Sequence, residues 1–255
     1  MTLLTEPTRI VLAKGYSLPD DADAVAYIDA VEASDGQALE TATRMAINSF
    51  VKGCKADGIW PAIKASCILS GARTLTGALV PLVGAAPTNN GFVAGDYDRK
   101  TGVLGSSGKS INSNRNNNAD PQDNNHNAIW LGLNVGAGGS SYLAAGIASA
   151  GGNLLQRLGG PTFITQNRSS ATASTGLSAG FLGMSRSSSA DYSRRVGGTT
   201  STVTQASATP FNGNIVLFNG SSSNLTFYSI GESLDLALLD ARVTTLINAF
   251  AAAIP

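Results

Sequence analysis

The sequence predicts a mostly β protein, an antiparallel β-sandwich or jelly roll with a helical segment before it and an amphipathic helix after it. Residues 21–80 are rich in Ala and other helix formers, whereas residues 90–232 are rich in Gly, Ser, Thr and Asn. In the second part, short apolar runs are each bounded by Gly, Asn, Ser or Pro. That pattern is typical of antiparallel strands joined by tight turns. Many short strands in one stretch favour a sandwich.

These changes in composition divide the chain into four parts. We predict an extended N-terminal arm at 1–20, a helical segment packed on the sandwich at 21–84, the β-sandwich at 85–232, and a helix of the same domain at 233–255. The arm contains Pro7 and Pro19, which disfavour a helix. An extended segment of this kind is able to add to the sheet edge of a neighbouring subunit, so the arm is our candidate anchor.

The helical segment is predicted to hold two or three short helices. Asp20, Asp21 and Asp23 mark its start, since carboxylates favour the positive end of a helix. Apolar residues then recur at helical spacing, and we assign Ile59, Ile63 and Cys67 to the apolar face of the last helix. We expect Cys54 and Cys67 to be buried small hydrophobic residues. The helical runs are Val25, Ile28 and Val31, then Leu39, Ala42, Ala46 and Phe50.

The strands of the sandwich are predicted from its short apolar runs, and Trp130 is assigned to the core because it alternates with apolar neighbours. The predicted strands cover 126–135, 141–148, 154–158, 162–166, 177–184, 201–206, 215–218 and 225–230.

The C-terminal helix is predicted to begin at a Ser233 cap and to carry one apolar face. That face either packs on the sandwich or contacts a sister subunit, and the sequence leaves both open. The apolar series is Leu236, Leu239, Val243, Leu246, Ile247 and Phe250.

Residues 112–127 are almost entirely polar, and we assign the whole stretch to a surface loop. Its oxygen-bearing side chains at Asp120, Asp123, Asn124 and Asn125 are able to bind Ca²⁺, although Asn-rich turns usually serve the backbone. The single histidine, His126, is predicted to face solvent at the start of a strand.

Composition excludes several classes of function. The chain has Lys+Arg 17 and Asp+Glu 17, so it lacks the basic excess that nucleic-acid binding needs. One histidine and no Cys-x-x-Cys motif leave no zinc site or histidine-based triad with support. We expect no signal peptide and no membrane span, and hence synthesis in the cytoplasm of the producing cell. These features favour a structural or binding domain without a cofactor over an enzyme.

Three stretches resemble a group of bacteriophage virion proteins with a concanavalin A-like, lectin-type jelly roll. The first runs from Phe92 to Gly102 and leads into Asn114–Gln122; the second lies at 53–67; the third is the ending from Ser229 to Asp235 before a terminal helix. The resemblance covers roughly residues 25–252. It implies a concanavalin A-like sandwich and a place on a phage particle, and it says little about activity.

A glycan hydrolase is the enzymatic alternative. Such sandwiches place carboxylates at alternate positions of one strand, so that they share a face. Asp96 and Asp98 are the nearest match, but Arg99 and Lys100 follow them, which favours surface ion pairs.

Sugar binding is the function that we favour for the sandwich. Lectin sites combine amide hydrogen bonds with an aromatic platform, and the predicted ligand-binding residues are Asn116, Asn117, Asn118, Tyr192 and Arg194, with Tyr142 and Arg195 as further candidates.

The resulting expectation is a non-enzymatic virion protein, a tail-fibre or baseplate-associated protein that binds a host cell-surface glycan. It would contact other virion proteins through its arm and form a homotrimer that gains avidity. The alternative is a capsid decoration protein or another non-adhesive virion component.

Overall fold

The computed structural model describes residues 18–147 and 149–254 of the chain. The N-terminal arm therefore lies almost wholly outside the described residues. The helices are α1 (Ala22–Asp35), α2 (Thr41–Ala56), α3 (Leu75–Ala78) and α4 (Leu236–Ala253). The strands are β1 (Ile63–Ile68), β2 (Thr88–Asn90), β3 (Tyr97–Asp98), β4 (Gly102–Leu104), β5 (Ser110–Asn116), β6 (Asn125–Leu131), β7 (Ser141–Ala145), β8 (Asn153–Gly159), β9 (Thr162–Asn167), β10 (Thr172–Ser174), β11 (Gly180–Arg186), β12 (Asp191–Val196), β13 (Thr199–Thr204), β14 (Asn214–Asn219) and β15 (Asn224–Gly231).

The strands form two antiparallel sheets. Sheet A has the order β13-β12-β11-β6-β15-β4-β3, with β1 also paired to β15, and sheet B has the order β10-β9-β8-β7-β14-β5-β2. The inner faces of the two sheets share one core, to which sheet A contributes residues such as Ile129 and Tyr228 and sheet B contributes Phe163 and Leu217. This arrangement confirms the predicted β-sandwich with N-terminal helices and a C-terminal helix.

A second core lies on the outer face of sheet A, under α1, α2 and α4. The strand alternation produces it, because Phe227 points to the helices while its neighbour Tyr228 points between the sheets. Phe50 of α2 meets Phe227 edge-to-face, with ring centroids 5.8 Å apart. The central strands of sheet A, β6, β11 and β15, are therefore buried on both faces.

The first and last helices, α1 and α4, begin at aspartate caps. Asp21 accepts hydrogen bonds from the backbone N–H groups of Asp23 and Ala24, which is the start predicted for α1. At α4 the cap is Asp235, whose side chain accepts from the N–H groups of the first helical residues. The predicted Ser233 cap is wrong, because the Ser233 backbone N–H and hydroxyl both donate to Asn124 Oδ1.

The helical interpretation of Ile63 and Cys67 is wrong. Both residues belong to β1, which pairs with β15, and the Ser66 hydroxyl donates to the Tyr228 carbonyl at 2.6 Å. A short apolar run does not separate a buried strand from a buried helix by periodicity alone. The prediction that Cys54 and Cys67 are buried free thiols is confirmed.

The predicted apolar runs of the sandwich are all strands or overlap strands, with ends shifted by a few residues. The assignment of residues 112–127 to one loop is wrong. β5 runs to Asn116 and β6 starts at Asn125, which leaves only residues 117–124 as the connection. Polar residues form these strand ends because their side chains bond to the chain, as Ser113 does to the Ile215 carbonyl at 2.6 Å.

α4 is long and apolar enough, by length and composition alone, to cross a membrane. This departs from our expectation that no stretch approaches such a span. In the fold, α4 packs on α2 and on sheet A, with Leu239, Val243, Leu246 and Phe250 buried. Its apolarity thus serves the second core, as the helix spacing predicted.

Candidate functional site

Tyr192 is not available as an aromatic platform. Its ring is 1% exposed, and its hydroxyl lies 2.9 Å from Thr165 Oγ1 between the sheets. Burial raises the pKa of this phenol above its ordinary value. Tyr142 is equally buried and donates to the Val135 carbonyl at 2.7 Å. The prediction that these rings contact a sugar is therefore wrong.

The predicted asparagines serve the connection between β5 and β6. Asn117 is 1% exposed and donates to the Gly151 carbonyl at 3.0 Å, so it does not present an amide to solvent. Asn116 Oδ1 accepts from the backbone N–H groups of Asn118 and Gly213, which fixes the turn. Asn118 is exposed, and its part in binding stays a prediction.

The two predicted arginines lie on opposite faces of β12. The Arg194 guanidinium lies over the Phe163 ring at 5.4 Å, so it is mainly part of the inner packing, and its role in binding stays a prediction. Arg195 points outward and forms an ion pair with Asp240 of α4, with Nε 2.7 Å from Oδ2. The structure does not bring Tyr192, the asparagines and the arginines together on one accessible surface.

His126 is fully buried, and the prediction that it faces solvent is wrong. Its Nδ1 lies 2.6 Å from the Glu232 carbonyl and its Nε2 lies 2.7 Å from Ser229 Oγ. Burial lowers the pKa of the imidazole to about 4. A neutral ring with Nδ1–H donating to the carbonyl and Nε2 accepting from Ser229 satisfies both contacts. Ser229 is buried as well, so the pair belongs to the packing of β6 against β15.

Of the side chains considered for Ca²⁺, Asp120, Asn124 and Asn125 have other partners, while Asp123 Oδ1 and Asn125 Oδ1 are buried without a hydrogen bond among the described residues. Asp120 is paired with Arg115, whose Nε lies 3.1 Å from Asp120 Oδ2. Asn124 accepts from Ser233, and Asn125 donates to the Gln122 carbonyl. Within the described residues, no group of three His, Cys, Asp or Glu side chains converges on a metal-sized position.

The two carboxylates of the hydrolase alternative both stabilise turns. Asp96 pairs with Lys109 at 2.6 Å, and Asp98 accepts from the backbone N–H groups of Lys100 and Thr101. These contacts lower the pKa of each carboxyl, that of Asp96 through Lys109 first and that of Asp98 through the Thr101 N–H first. Neither group holds the proton that a general acid donates at neutral pH.

A concave, accessible site lies instead on the outer face of sheet A, beside the side of α4 that carries Ile247. We call it the Trp130 pocket. Its volume is about 340 Å³, at the small end of the range for small-ligand sites. Trp130 is only half-buried there, and Leu133 at the pocket is 90% exposed. The lining residues are Lys100, Thr101, Trp130, Leu131, Gly132, Leu133, Ala179, Gly180, Thr226 and Ile247.

A β-bulge shapes the floor of the Trp130 pocket. On β15, Leu225 pairs with Leu131 and Phe227 pairs with Trp130, so Thr226 is the extra residue of the bulge. Thr226 is 2% exposed, and its hydroxyl has no hydrogen-bond partner among the described residues. The bulge residue is therefore part of the pocket lining and carries a buried hydroxyl without a partner, whereas buried polar groups usually have one.

The hairpin between β3 and β4 holds the polar rim of the pocket. Arg99 anchors the turn, because its guanidinium donates to Glu40 at 3.0 and 2.7 Å and to the Ala72 carbonyl at 3.1 Å. The Arg99 hydrogen bonds lower the pKa of Glu40 to about 2. Gly102 closes the hairpin at φ 82°, where a Cβ would lie 2.2 Å from the Leu225 carbonyl oxygen. Lys100 at the tip is thereby held at the pocket rim.

Lys100 differs from the other lysines of the described chain. Each of the others has a carboxylate oxygen within 4.0 Å, whereas the Lys100 ammonium has none among the described residues. The pocket lining contains no carboxylate, so Lys100 is its one charged side chain. The site joins an aromatic ring, a buried hydroxyl without a partner and a lysine that forms no ion pair. The lysines compared are Lys52, Lys55, Lys64, Lys100 and Lys109.

Sequence reasoning missed both principal residues of this pocket. Trp130 was assigned to the core, and it does pack partly against the second core, but it lies at the margin of the helical cover. The signal was its register: Ile129 and Leu131 face inward, so Trp130 faces outward. Lys100 was assigned to a surface ion pair, and only the fold shows that Arg99 takes Glu40 while Lys100 takes no carboxylate.

No protein-family model matches the chain, and no curated protein sequence matches it. Solved structures do resemble it at low identity. The binding domain of botulinum neurotoxin serotype D is 15% identical, with a TM-score of 0.45 over 72% of this chain and 51% of that one. The binding domain of botulinum neurotoxin DC, solved in complex with SialylT, is 13% identical, with a TM-score of 0.49 over 74% and 51%. A GH54 α-L-arabinofuranosidase is 12% identical, with a TM-score of 0.41 over 58% and 40%.

This chain thus spans about half or less of the length of those structures. All three TM-scores are below 0.5, so these similarities carry no inference about ligand or activity.

Proposed function

We propose that the protein is a non-enzymatic carbohydrate-binding module, and that the Trp130 pocket is its sugar site. The observation that carries this proposal is the half-buried indole of Trp130 at the wall of an accessible cavity of about 340 Å³. Other large aromatic rings of the sandwich, such as Tyr142, Tyr192 and Tyr228, are buried in the core.

The chemistry of the pocket fits a sugar ring. A pyranose has an apolar C–H face and polar edges, and an amphipathic aromatic ring beside hydroxyl and ammonium groups matches both. The Trp130 ring offers the apolar surface, which Leu133 and Ile247 extend. Thr101 and Lys100 offer hydrogen-bond donors at the rim.

We further propose that this module acts on a bacteriophage particle, as a tail-fibre or baseplate-associated adhesin for a host cell-surface glycan. The support is the resemblance of residues 92–122 and of the ending at 229–235 to phage virion proteins. In this proposal the arm at 1–20 contacts other virion proteins and the protein is a homotrimer, which multiplies a weak sugar affinity.

A second candidate is a capsid decoration protein or another non-adhesive virion component. The observation in its favour is an apolar groove of about 440 Å³ between α2 and α4. Small side chains such as Ala42, Ala249 and Ala252 line the groove, and they allow a neighbouring backbone to approach closely. Such a surface suits a protein contact better than a sugar, since it offers few polar groups.

Affinity electrophoresis through gels that contain host surface polysaccharide tests the sugar site. We expect the polysaccharide to retard the wild-type protein, and Trp130→Ala and Leu133→Ser to abolish most of the retardation. Leu133 is 90% exposed, so its replacement leaves the fold intact. Leu158→Ser, at an exposed leucine on sheet B, is the matched control and should behave as the wild type. Equal retardation of all variants would contradict the site.

Immunogold labelling of intact particles tests the location. Gold at the tail tip supports the adhesin, and gold spread over the head supports decoration instead. Absence of gold from every particle would contradict the virion proposal, while leaving the electrophoresis result unaffected.

A further inference from the structure

We infer that the saccharide bound in the Trp130 pocket is acidic, and that its carboxylate is recognised by Lys100. This inference rests on the proposed sugar site and names the class of sugar that it takes. It starts from the presence, in the lining of one cavity, of a lysine that forms no ion pair and a half-buried aromatic ring.

The two carboxylates considered as partners of Lys100 make their close contacts with other groups. Asp98 is the nearest carboxylate in sequence, and its Oδ1 accepts from Lys100 N, Thr101 N and Thr101 Oγ1, which closes the turn. Glu40 is held by Arg99 and Arg73, with distances of 2.7 and 3.1 Å. Neither carboxylate lies within ion-pair distance of the Lys100 ammonium.

The hairpin holds the backbone of Lys100 at the rim of the pocket. Arg99 and Asp98 fix the turn on both sides of Lys100, and Gly102 lies against the Leu225 carbonyl. The ordering of the rim is therefore achieved before a ligand arrives, which reduces the entropic cost of binding. A neutral sugar would contact the Trp130 ring and the hydroxyl groups, but it would form no ion pair with Lys100.

An array of immobilised glycans tests the inference. Each glycan that contains a uronic or sialic acid is printed beside its carboxyl-reduced form, which differs from it only in having CH₂OH in place of the carboxylate. We expect the wild-type protein to bind the acidic member of a pair about two- to fivefold more tightly, as a partly exposed ion pair gives. The preference should disappear in about 1 M salt, because screening is then nearly complete.

Lys100→Gln should remove the preference, so that this variant binds each acidic glycan and its carboxyl-reduced form equally. Lys52→Gln, at a lysine that pairs with Asp20 on the far side of the helical layer, is the control and should keep the preference. Equal binding of both members of each pair by the wild type and by Lys100→Gln would overturn the acidic-sugar inference and leave the sugar site standing. Binding of no glycan on the array would overturn the proposed function itself.

Discussion

The guanidinium of Arg99 holds the carboxylate of Glu40 through two hydrogen bonds, Nη1 to Oε1 at 3.0 Å and Nη2 to Oε2 at 2.7 Å. This pair ties the β3–β4 hairpin of the sandwich to the residue that precedes α2. The hairpin tip is the Lys100 rim of the Trp130 pocket. A contact between the helical segment and the sandwich therefore sets the geometry of the proposed sugar site.

Replacement of Arg99 by Ala should lower the free energy of unfolding by about 1.5–3 kcal/mol, the range for hydrogen bonds to charged groups. Urea denaturation measures the change. Lys52→Ala is the matched control, since the Lys52–Asp20 pair is more than half exposed and should contribute much less to stability. Equal losses in the two variants would contradict a structural role for the Arg99–Glu40 pair.

The Arg99–Glu40 pair should also make the free energy of unfolding depend on pH in the acid range. The pKa of Glu40 is lowered to about 2 in the folded protein, against about 4.3 in an unfolded chain. Its stabilisation is therefore complete above about pH 4.5 and is lost as the pH falls towards 2. The difference in stability between the wild type and Arg99→Ala should shrink over that interval. A difference in stability between the wild type and Arg99→Ala that does not change with pH would contradict the lowered pKa of Glu40.

His126 should give a second, separate pH dependence. Its pKa is lowered to about 4 in the folded state, against about 6.5 when unfolded. The unfolded chain takes up the proton first, so stability is complete above about pH 6.5 and falls as the pH drops towards 4, by at most about 1.4 kcal/mol per pH unit. The chain has one histidine, so His126→Gln should flatten the stability curve between pH 6.5 and 5.

An NMR titration of the imidazole checks the same point directly. The ring should remain neutral at pH 5 in the native protein and become protonated near pH 4. A midpoint near 6.5 would show that His126 is solvated and would contradict its buried contacts with Glu232 and Ser229.

Both thiols should be unreactive in the native protein. Burial raises the pKa of Cys54 and of Cys67 to about 12, so almost no thiolate is present at pH 8 and none is accessible. A thiol reagent such as dithionitrobenzoate should titrate both cysteines in guanidinium chloride and neither in buffer. Rapid reaction of Cys67 without denaturant would contradict the pairing of β1 with β15.

Arg186→Met should be among the most destabilising single changes, with a loss of about 3 kcal/mol or more, because each buried acceptor left without a partner costs about 1–3 kcal/mol. Arg186 is fully buried at the end of β11, and its guanidinium donates to four backbone carbonyls that the substitution would leave unpaired. Arg194→Met is the matched control, because Arg194 makes one hydrogen bond, of 3.5 Å, with its guanidinium. Thermal denaturation of the two variants checks the difference. The acceptors of Arg186 are the carbonyls of Asn167, Ser188, Asp191 and Gln205.

The sequence predicted the sandwich and the helices because local signals agree with the fold there. The run from Leu225 to Ile230 is apolar and bounded by polar residues, and α4 repeats its apolar residues at helical spacing. The predictions were wrong where contacts between residues distant in sequence determine the local structure or the burial of a side chain. Ile63 to Cys67 became a strand because β15 offers a partner, and His126 became buried because Ser229 and Glu232 satisfy its nitrogens.

The site was beyond sequence reasoning for a related reason. Tyr192 points between the sheets and is buried there, whereas Trp130 points to the outer face of sheet A, where the helices cover it only in part. Ion pairs are also difficult to predict from sequence, because the two partners are often far apart along the chain. Arg99 and Lys100 are adjacent, yet Glu40, distant in sequence, pairs with one and not the other.

A fluorescence titration of single-tryptophan variants tests the central claim most directly. The chain has two tryptophans, so Trp60→Phe leaves Trp130 as the reporter and Trp130→Phe leaves Trp60. Titrated with the acidic glycan that binds most tightly on the array, Trp60→Phe should show a saturable change in emission and Trp130→Phe should show none. A saturable change in the variant that retains only Trp60, or no change in either variant while binding persists, would contradict the Trp130 pocket as the sugar site.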